Sequence, residues 1–407
     1  MITTPRRSLG LKRAVLTLAL ASSAMSAGAA SLLPSAVADQ VPATLVAAPL
    51  PAGDHSEREP LAFAWALDPQ QPLQQAGPVT SLSRSYWQQV DGVQLQRGVQ
   101  LPLTAPDAVI QLNPATGARP ITTSDATLRD GSGRRLGSTS VEARQLQDAG
   151  MPATDGSWLL RSGNDAAPGV HTLRSAKAQG RYVVQVVEPN SSLQLAVQAE
   201  QNQVLAGATI AVQAALQDDA AEQQTQLKAR RASLRGEALL VAPDGQSWPQ
   251  ALRRTRDGGL AAQVRIPVNA PTTPGLWELQ VFTQADGVLR DGKVAFAVAR
   301  PTARFAGTAL ADSGSRRINL PVQVAAAGRY EARGTLYATG ADGLLRPVAQ
   351  AHAAAWFDRA GKGALALPFD QAALPAGYGA PFELRELQLQ DQTRMAPIES
   401  RGLALRF

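Results

Sequence analysis

Gly180-Arg181-Tyr182-Val183-Val184-Gln185-Val186-Val187 is the stretch from which the fold can be read. A glycine, one further residue and an aromatic ring open an alternating strand. The glycine permits a sharp corner, and the ring tucks beneath it to start a core strand, as in immunoglobulin-like sandwiches. The pattern recurs at Gly275-Leu276-Trp277, opening a strand over 278–282, and at Gly328-Arg329-Tyr330, opening one over 331–337. Three copies, one in each third of the chain beyond residue 38, predict three sandwich-type units.

Working outward, residues 191–300 hold seven strand candidates, at 193–198, 208–216, 236–241, 246–252, 260–266, 276–283 and 293–298, with Asp244-Gly245 and Asp257-Gly258 marking turns. About 110 residues and seven strands are the size of one immunoglobulin-like sandwich. The polar, charged stretch 222–235 reads as its longest loop. Residues 301–407 form a second β-sandwich, and residues 39–190 a β-rich N-terminal domain. One short helix is expected there, over 141–149, with Thr139 and Glu142 at capping-box spacing and Gly150 and Pro152 behind it. Stretch 93–103 reads as a strand. Leu61-Ala62-Phe63-Ala64-Trp65-Ala66-Leu67 alternates large residues with alanine, so the large face is expected against a core, and Trp65, Trp277 and Trp356 are read as core. The fold class is therefore mainly β: tandem sandwiches behind a β-rich domain.

A chain of 407 residues suits two or three domains, and its hydrophobic content of 44% is ordinary for globular proteins. It contains no cysteine, which excludes disulfides, thiolate metal sites and a lipid anchor on cysteine. Residues 1–38 carry the parts of a secretory signal: basic Arg6, Arg7, Lys12 and Arg13, an apolar run over 14–21, and Ala36-Val37-Ala38 as an A-x-A cleavage site, with Ala27-Gly28-Ala29 an earlier alternative. The apolar run is far shorter than the ~20 residues a spanning helix needs. A periplasmic or secreted location follows, with no transmembrane segment after cleavage. The segment holds four of the six net positive charges, so the processed chain is nearly neutral, and nucleic acid is not expected as a partner.

The segments PAGDHSEREPLAFAWAL (51–67), SRSYWQQVDGVQL (83–95) and GRYVVQVVEP (180–189) resemble a bacterial family of exported proteins, domain of unknown function 4785. AGRYEARGTLY (327–337), ALALPFD (364–370) and PFELRELQLQD (381–391) are similar to a sandwich found at the ends of secreted bacterial proteins. The resemblance implies export, an immunoglobulin-like middle domain and a C-terminal sandwich. It implies no activity and supplies no catalytic residues.

The chemistry-bearing residues are sparse. Three histidines, His55, His171 and His352, stand far apart, and no nucleophile elbow, phosphate loop, dinucleotide fingerprint or calcium loop is present. The Asp-Gly pairs, Asp291-Gly292 among them, read as turns. Asp54, His55, Glu57 and Glu59 form one dense cluster. In an extended chain, His55, Glu57 and Glu59 would share a face able to hold a divalent metal or act as an acid–base pair. The simpler reading is a solvated loop with Arg58 balancing the acids. Tyr86-Trp87 is the candidate ligand platform, because paired aromatic rings stack on sugars. The alternative for these rings is the core.

Two functions remain. The first is an exported, non-catalytic binding or structural protein, without cofactor, that meets an envelope or extracellular protein or glycan through sandwich loops or edges. The second is a secreted hydrolase or hydrolase accessory with its site near Glu57 and Glu59.

Overall fold

A computed structural model describes residues 28–407 apart from 54–56, 74–76, 78, 138, 151–152, 221–223, 272 and 313. The basic and apolar parts of the expected leader lie outside the described residues. The chain forms three β-sandwiches in a row, each with its own core. The first core runs from Tyr86 to Val186 and the second from Leu193 to Phe296. The third is built mainly on residues between Ala299 and Leu405. All three corner motifs behave alike. Tyr182, Trp277 and Tyr330 are buried at the starts of the strands Arg181–Val187, Trp277–Ala285 and Gly328–Thr339, and the glycines before them have positive φ. Each ring is anchored. The Tyr182 hydroxyl donates to the Arg119 carbonyl at 2.6 Å, the Tyr330 hydroxyl donates to the Ala326 carbonyl at 2.9 Å, and Trp277 stacks on Trp248 at 5.5 Å. Burying each ring contributes on the order of 2–3 kcal/mol.

In the first sandwich, Ser85–Asp91, Arg181–Val187, Val109–Pro114, Trp158–Arg161 and Thr139–Glu142 close on a sheet of Val99–Leu103, Gly169–Arg174, Thr127–Arg129 and Arg135–Leu136. In the second, Ser247–Gln250, Arg235–Val241, Trp277–Ala285 and Val288–Ala299 cover Arg253–Arg254, Leu260–Arg265, Thr209–Asp218, Leu193–Ala199 and Val79–Ser83. A single pairing, Asp291 with Ser85, joins the two domains' sheets into one of ten strands. The third sandwich pairs a sheet of Leu61–Ala66, Leu345–Phe357, Gly328–Thr339, Gly379–Asp391 and Ala396–Arg406 with one that includes Gly28–Ser31 and Arg317–Val324.

Strand exchange departs from the linear division of the sequence. The described residues between 28 and 66, expected to be leader and N-terminal domain, lie on the C-terminal sandwich. Gly28–Ser31 pairs with Thr308–Asp312, the Leu33 amide donates to Ala404, and Gln40 bridges to Ser400. Arg329 donates to the carbonyls of Glu57 and Glu59 at 2.7 and 2.6 Å. Leu61–Ala66 then pairs with Leu345–Phe357 as an edge strand. Next, Val79–Ser83 completes the middle sandwich, and only from Ser85 does the first sandwich begin. Sequence adjacency suggested that residues 39–83 pair locally, but the open edges they fill belong to later strands.

The Leu61–Ala66 strand also reverses the expected face. Ala64 packs against the third core, while Leu61, Phe63 and Trp65 are 53%, 40% and 39% exposed. Period two fixes which residues share a face, and nothing local says which face is covered. Trp65 is therefore a surface residue, Trp356 is half-buried and Trp277 is core.

Helices differ in detail as well. Stretch 93–103 divides into a helix, Gly92–Arg97, and the strand Val99–Leu103. Asp91 caps the helix reciprocally with Gln94. The polar stretch read as a loop contains the helix Gln224–Ser233, which packs Leu227 into the second core. The expected helix near 141–149 spans Ala143–Asp148, capped by Glu142 with Gln145, while Thr139–Glu142 is a strand.

Candidate functional site

The ten-stranded sheet is held at its joint by one residue pair, so the strands on either side of it diverge. The space between them is a groove of about 390 Å³ on the seam of the first two sandwiches. Its walls are Trp87 and Gln88 from one domain and Glu237, Phe282, Gln284 and Asp291 from the other, with Arg235 at the rim.

Local sequence sets each wall. Ser85–Asp91 alternates, so Tyr86 and Val90 enter the first core and Trp87 faces out with its side chain 41% exposed. Across the middle sandwich, Glu237 lies opposite Phe282 and Phe282 opposite Asp291, which puts an acid on each side of an aromatic ring in one row. Gly236 lets these strands close. A Cβ there would stand 2.5 Å from the Phe282 carbonyl oxygen. Trp87 meets Phe282 edge to face, with ring centroids 5.4 Å apart and planes at 86°. Its backbone N–H donates to Asp291 Oδ2 at 2.6 Å. Burial pushes the Asp291 carboxyl up to about 7, although the Trp87 N–H and the Arg290 charge pull the other way.

Beneath the groove lies a fully buried ion pair. Arg290 and Glu188 are both 0% exposed and meet at 2.7 Å. Glu188 accepts the amides of Thr104 and Ala105 at 2.5 and 3.1 Å. Arg290 donates to the Leu193 and Leu289 carbonyls and to the hydroxyls of Thr104 and Ser191. These contacts tie a loop of the first sandwich, the linker and a strand of the second, and so link the two domains that carry the groove's walls.

The residues singled out from sequence divide. Trp87 lines the groove. Tyr86 also borders the groove but is almost wholly buried in the core, where its hydroxyl donates to the Pro102 carbonyl at 3.1 Å and burial pushes its pKa far above the usual tyrosine range. Asp54 and His55 lie outside the described residues. Glu57 and Glu59 are exposed on the C-terminal sandwich and line no part of the groove, and the Glu57 carboxylate accepts the amides of Arg58 and Glu59. Among the described residues no three or more His, Asp or Glu are placed to hold a metal ion. The other two histidines are built in: His171 is buried, and His352 pairs with Glu331 and packs against the rings of Phe63 and Trp65.

Sequence reading missed Asp291, Phe282 and Glu237. Asp291-Gly292, which reads as a turn, lies inside Val288–Ala299, and the turn is at Asp286-Gly287. The available signal was Asp286-Gly287, a two-residue turn that closes a hairpin and leaves Asp291-Gly292 within the returning strand.

Three sandwiches in series, with an aromatic groove at the first seam, define a tandem β-sandwich protein whose candidate site is lined by two domains. The chain belongs to the family described as domain of unknown function (DUF4785). That family's N-terminal domain matches residues 52–188 and its C-terminal domain residues 302–407. Among solved structures, a DUF4785 family protein from Legionella pneumophila is 20% identical, covers 92% of this chain and 98% of its own, and has a TM-score of 0.64, which establishes the shared fold. The native conformation of Escherichia coli alpha-2-macroglobulin is 14% identical over 82% of this chain and 20% of its own, at a TM-score of 0.27. A Salmonella alpha-2-macroglobulin mutant gives 15% identity over 74% and 21%, at 0.24. No curated protein matches the chain. Among the described residues no helix is long and apolar enough to cross a membrane.

Proposed function

We propose that this chain is an exported binding protein of the cell envelope that holds a glycan in the groove between its first two sandwiches. The observation that carries the reading is Trp87. Its indole is exposed on the wall of a groove large enough for one or two sugar rings and meets Phe282 edge to face, while the Trp87 backbone N–H, bonded to Asp291, anchors the residue. An indole face takes the apolar face of a pyranose, while the carboxylates of Asp291 and Glu237, the amides of Gln88 and Gln284 and the Arg235 guanidinium supply partners for its hydroxyls. The buried ion pair that ties the two domains together supports a preformed site, which lowers the ordering cost of binding. Calorimetric titration with envelope oligosaccharides tests it, with Trp87→Ala as the paired control.

A second reading, hydrolysis in the same groove, is favoured by one observation: a carboxyl pushed up to about 7 beside a second acid two strands away, at a backbone separation of roughly 10 Å. It moves the candidate acids from Glu57 and Glu59 to Asp291 and Glu237. Release of new reducing ends from a bound oligosaccharide, lost in Asp291→Asn, is its test.

Export rests on the leader read from the sequence. Of its two cleavage points, the contacts of Leu33 with Ala404 and Arg401 support the earlier one, because a cut after Ala38 would remove them.

A further inference from the structure

The exposed Leu61–Ala66 strand has no role in the groove. It ends its sheet, carries no charge over 61–67, and is apolar on both faces. Such an edge invites pairing, and proteins ordinarily protect one with charge, proline or a bulge. Here the large side chains are held ready instead. Phe63 and Trp65 each stack on His352, with centroids 5.2 and 5.1 Å away, and Glu331 holds that imidazole in place.

We propose that this edge pairs antiparallel with the same strand of a second copy of the chain, making a twofold dimer centred on Phe63. The hydrogen-bond phase permits it. Leu67 donates to Val348, so residues 61, 63, 65 and 67 bond inward, and Ala62, Ala64 and Ala66 turn their amides and carbonyls to the open edge. With Phe63 opposite Phe63, Ala62 of one copy exchanges hydrogen bonds with Ala64 of the other. The same register sets Leu61 opposite Trp65 on the exposed face, so the aromatic band runs across the twofold. It also sets Arg58 opposite Asp68 at both ends. Both are exposed, and Arg58 lies over the Trp356 ring at 4.6 Å, beside the strand it would extend. Shifting the register by two residues keeps the aromatic face but loses both charge pairs. That charge match is what commits the surface to a second copy. A six-residue edge buries less than the roughly 1,200 Å² of a standard interface, so the dimer is weak.

The absence of native cysteine gives a clean test. Phe63→Cys provides one thiol per chain. Directly opposed residues of a non-hydrogen-bonded antiparallel pair sit about 4.5 Å apart at Cα, within disulfide range. Mild oxidation should give a cross-linked dimer from Phe63→Cys and none from exposed Met395→Cys. In sedimentation equilibrium up to several hundred micromolar, wild type should dimerise. Arg58→Asp and Asp68→Arg should each weaken the dimer roughly tenfold, from two exposed ion pairs, and the double reversal should restore it. A monomer throughout, cross-linking no better than that of Met395→Cys, or cross-linking through Ala64→Cys in place of Phe63→Cys would overturn the proposal.

Discussion

Replacing Arg290 by Met tests the claim that the first two sandwiches are locked into one body. The change removes the ion pair to Glu188 and donors to two carbonyls and two hydroxyls, all in a site with no solvent access. The methionine fills much of the volume, so the main cost is electrical: the Glu188 carboxylate stays buried with only the Thr104 and Ala105 contacts to hold it. Breaking one side of a buried pair costs about 3–5 kcal/mol. At a urea dependence of about 1–3 kcal/mol per molar, the midpoint should fall by on the order of 1–5 M. Because the pair spans the seam, calorimetry should show one shared transition for the first two sandwiches in wild type, separating into two in the variant. Adding Glu188→Gln should recover a large part of the loss, since a neutral amide oxygen still accepts the Thr104 and Ala105 amides without a buried charge. A loss below about 1 kcal/mol for Arg290→Met, or a double variant no better than the single one, would refute the reasoning.

Other outcomes follow from the same contacts. Asp291 has a folded pKa near 7 against an ordinary value near 4, so the folded state holds the extra proton between those limits. Its contribution to stability is full below about pH 4 and is lost as pH rises through about 7; Asp291→Asn should remove that part of the slope in pH-dependent urea midpoints while keeping the acceptor for Trp87. Arg329→Ala should free the chain around Glu57 and Glu59 from the third sandwich, seen as faster amide exchange in Leu61–Ala66 with the first sandwich unchanged. Intact mass of the exported protein should place its first residue ahead of Leu33; a start at Asp39 would show that the Gly28–Ser31 strand is discarded.

The three cores were legible in the sequence because the corner motif is local. Glycine, ring and alternating strand lie within eight residues, and all three rings are buried where the motif puts them. All seven strands expected between 191 and 300 are present, with shifted ends. What escaped depends on distance. The covered side of Leu61–Ala66 is decided by strands nearly 300 residues later, so alternation alone put Trp65 on the wrong face. The groove escaped for a similar reason. Trp87 was visible as an aromatic, but its partners Phe282 and Asp291 reach it only through one cross-domain pairing. The short helices were hidden because the cap on Gly92–Arg97 uses Asp91-Gly92, which also reads as a turn, and because Gln224–Ser233 has few apolar residues.

The central claim, a glycan seated against Trp87, is tested most directly by isothermal titration of the processed protein with peptidoglycan fragments and other envelope oligosaccharides. At least one should bind saturably at a single site, and Trp87→Ala should weaken it by tenfold or more, since covering a large apolar side chain is worth roughly 1.5–3 kcal/mol, while urea stability changes by less than about 1 kcal/mol. Saturable binding that Trp87→Ala leaves unchanged, or no binding across the set, would contradict the account.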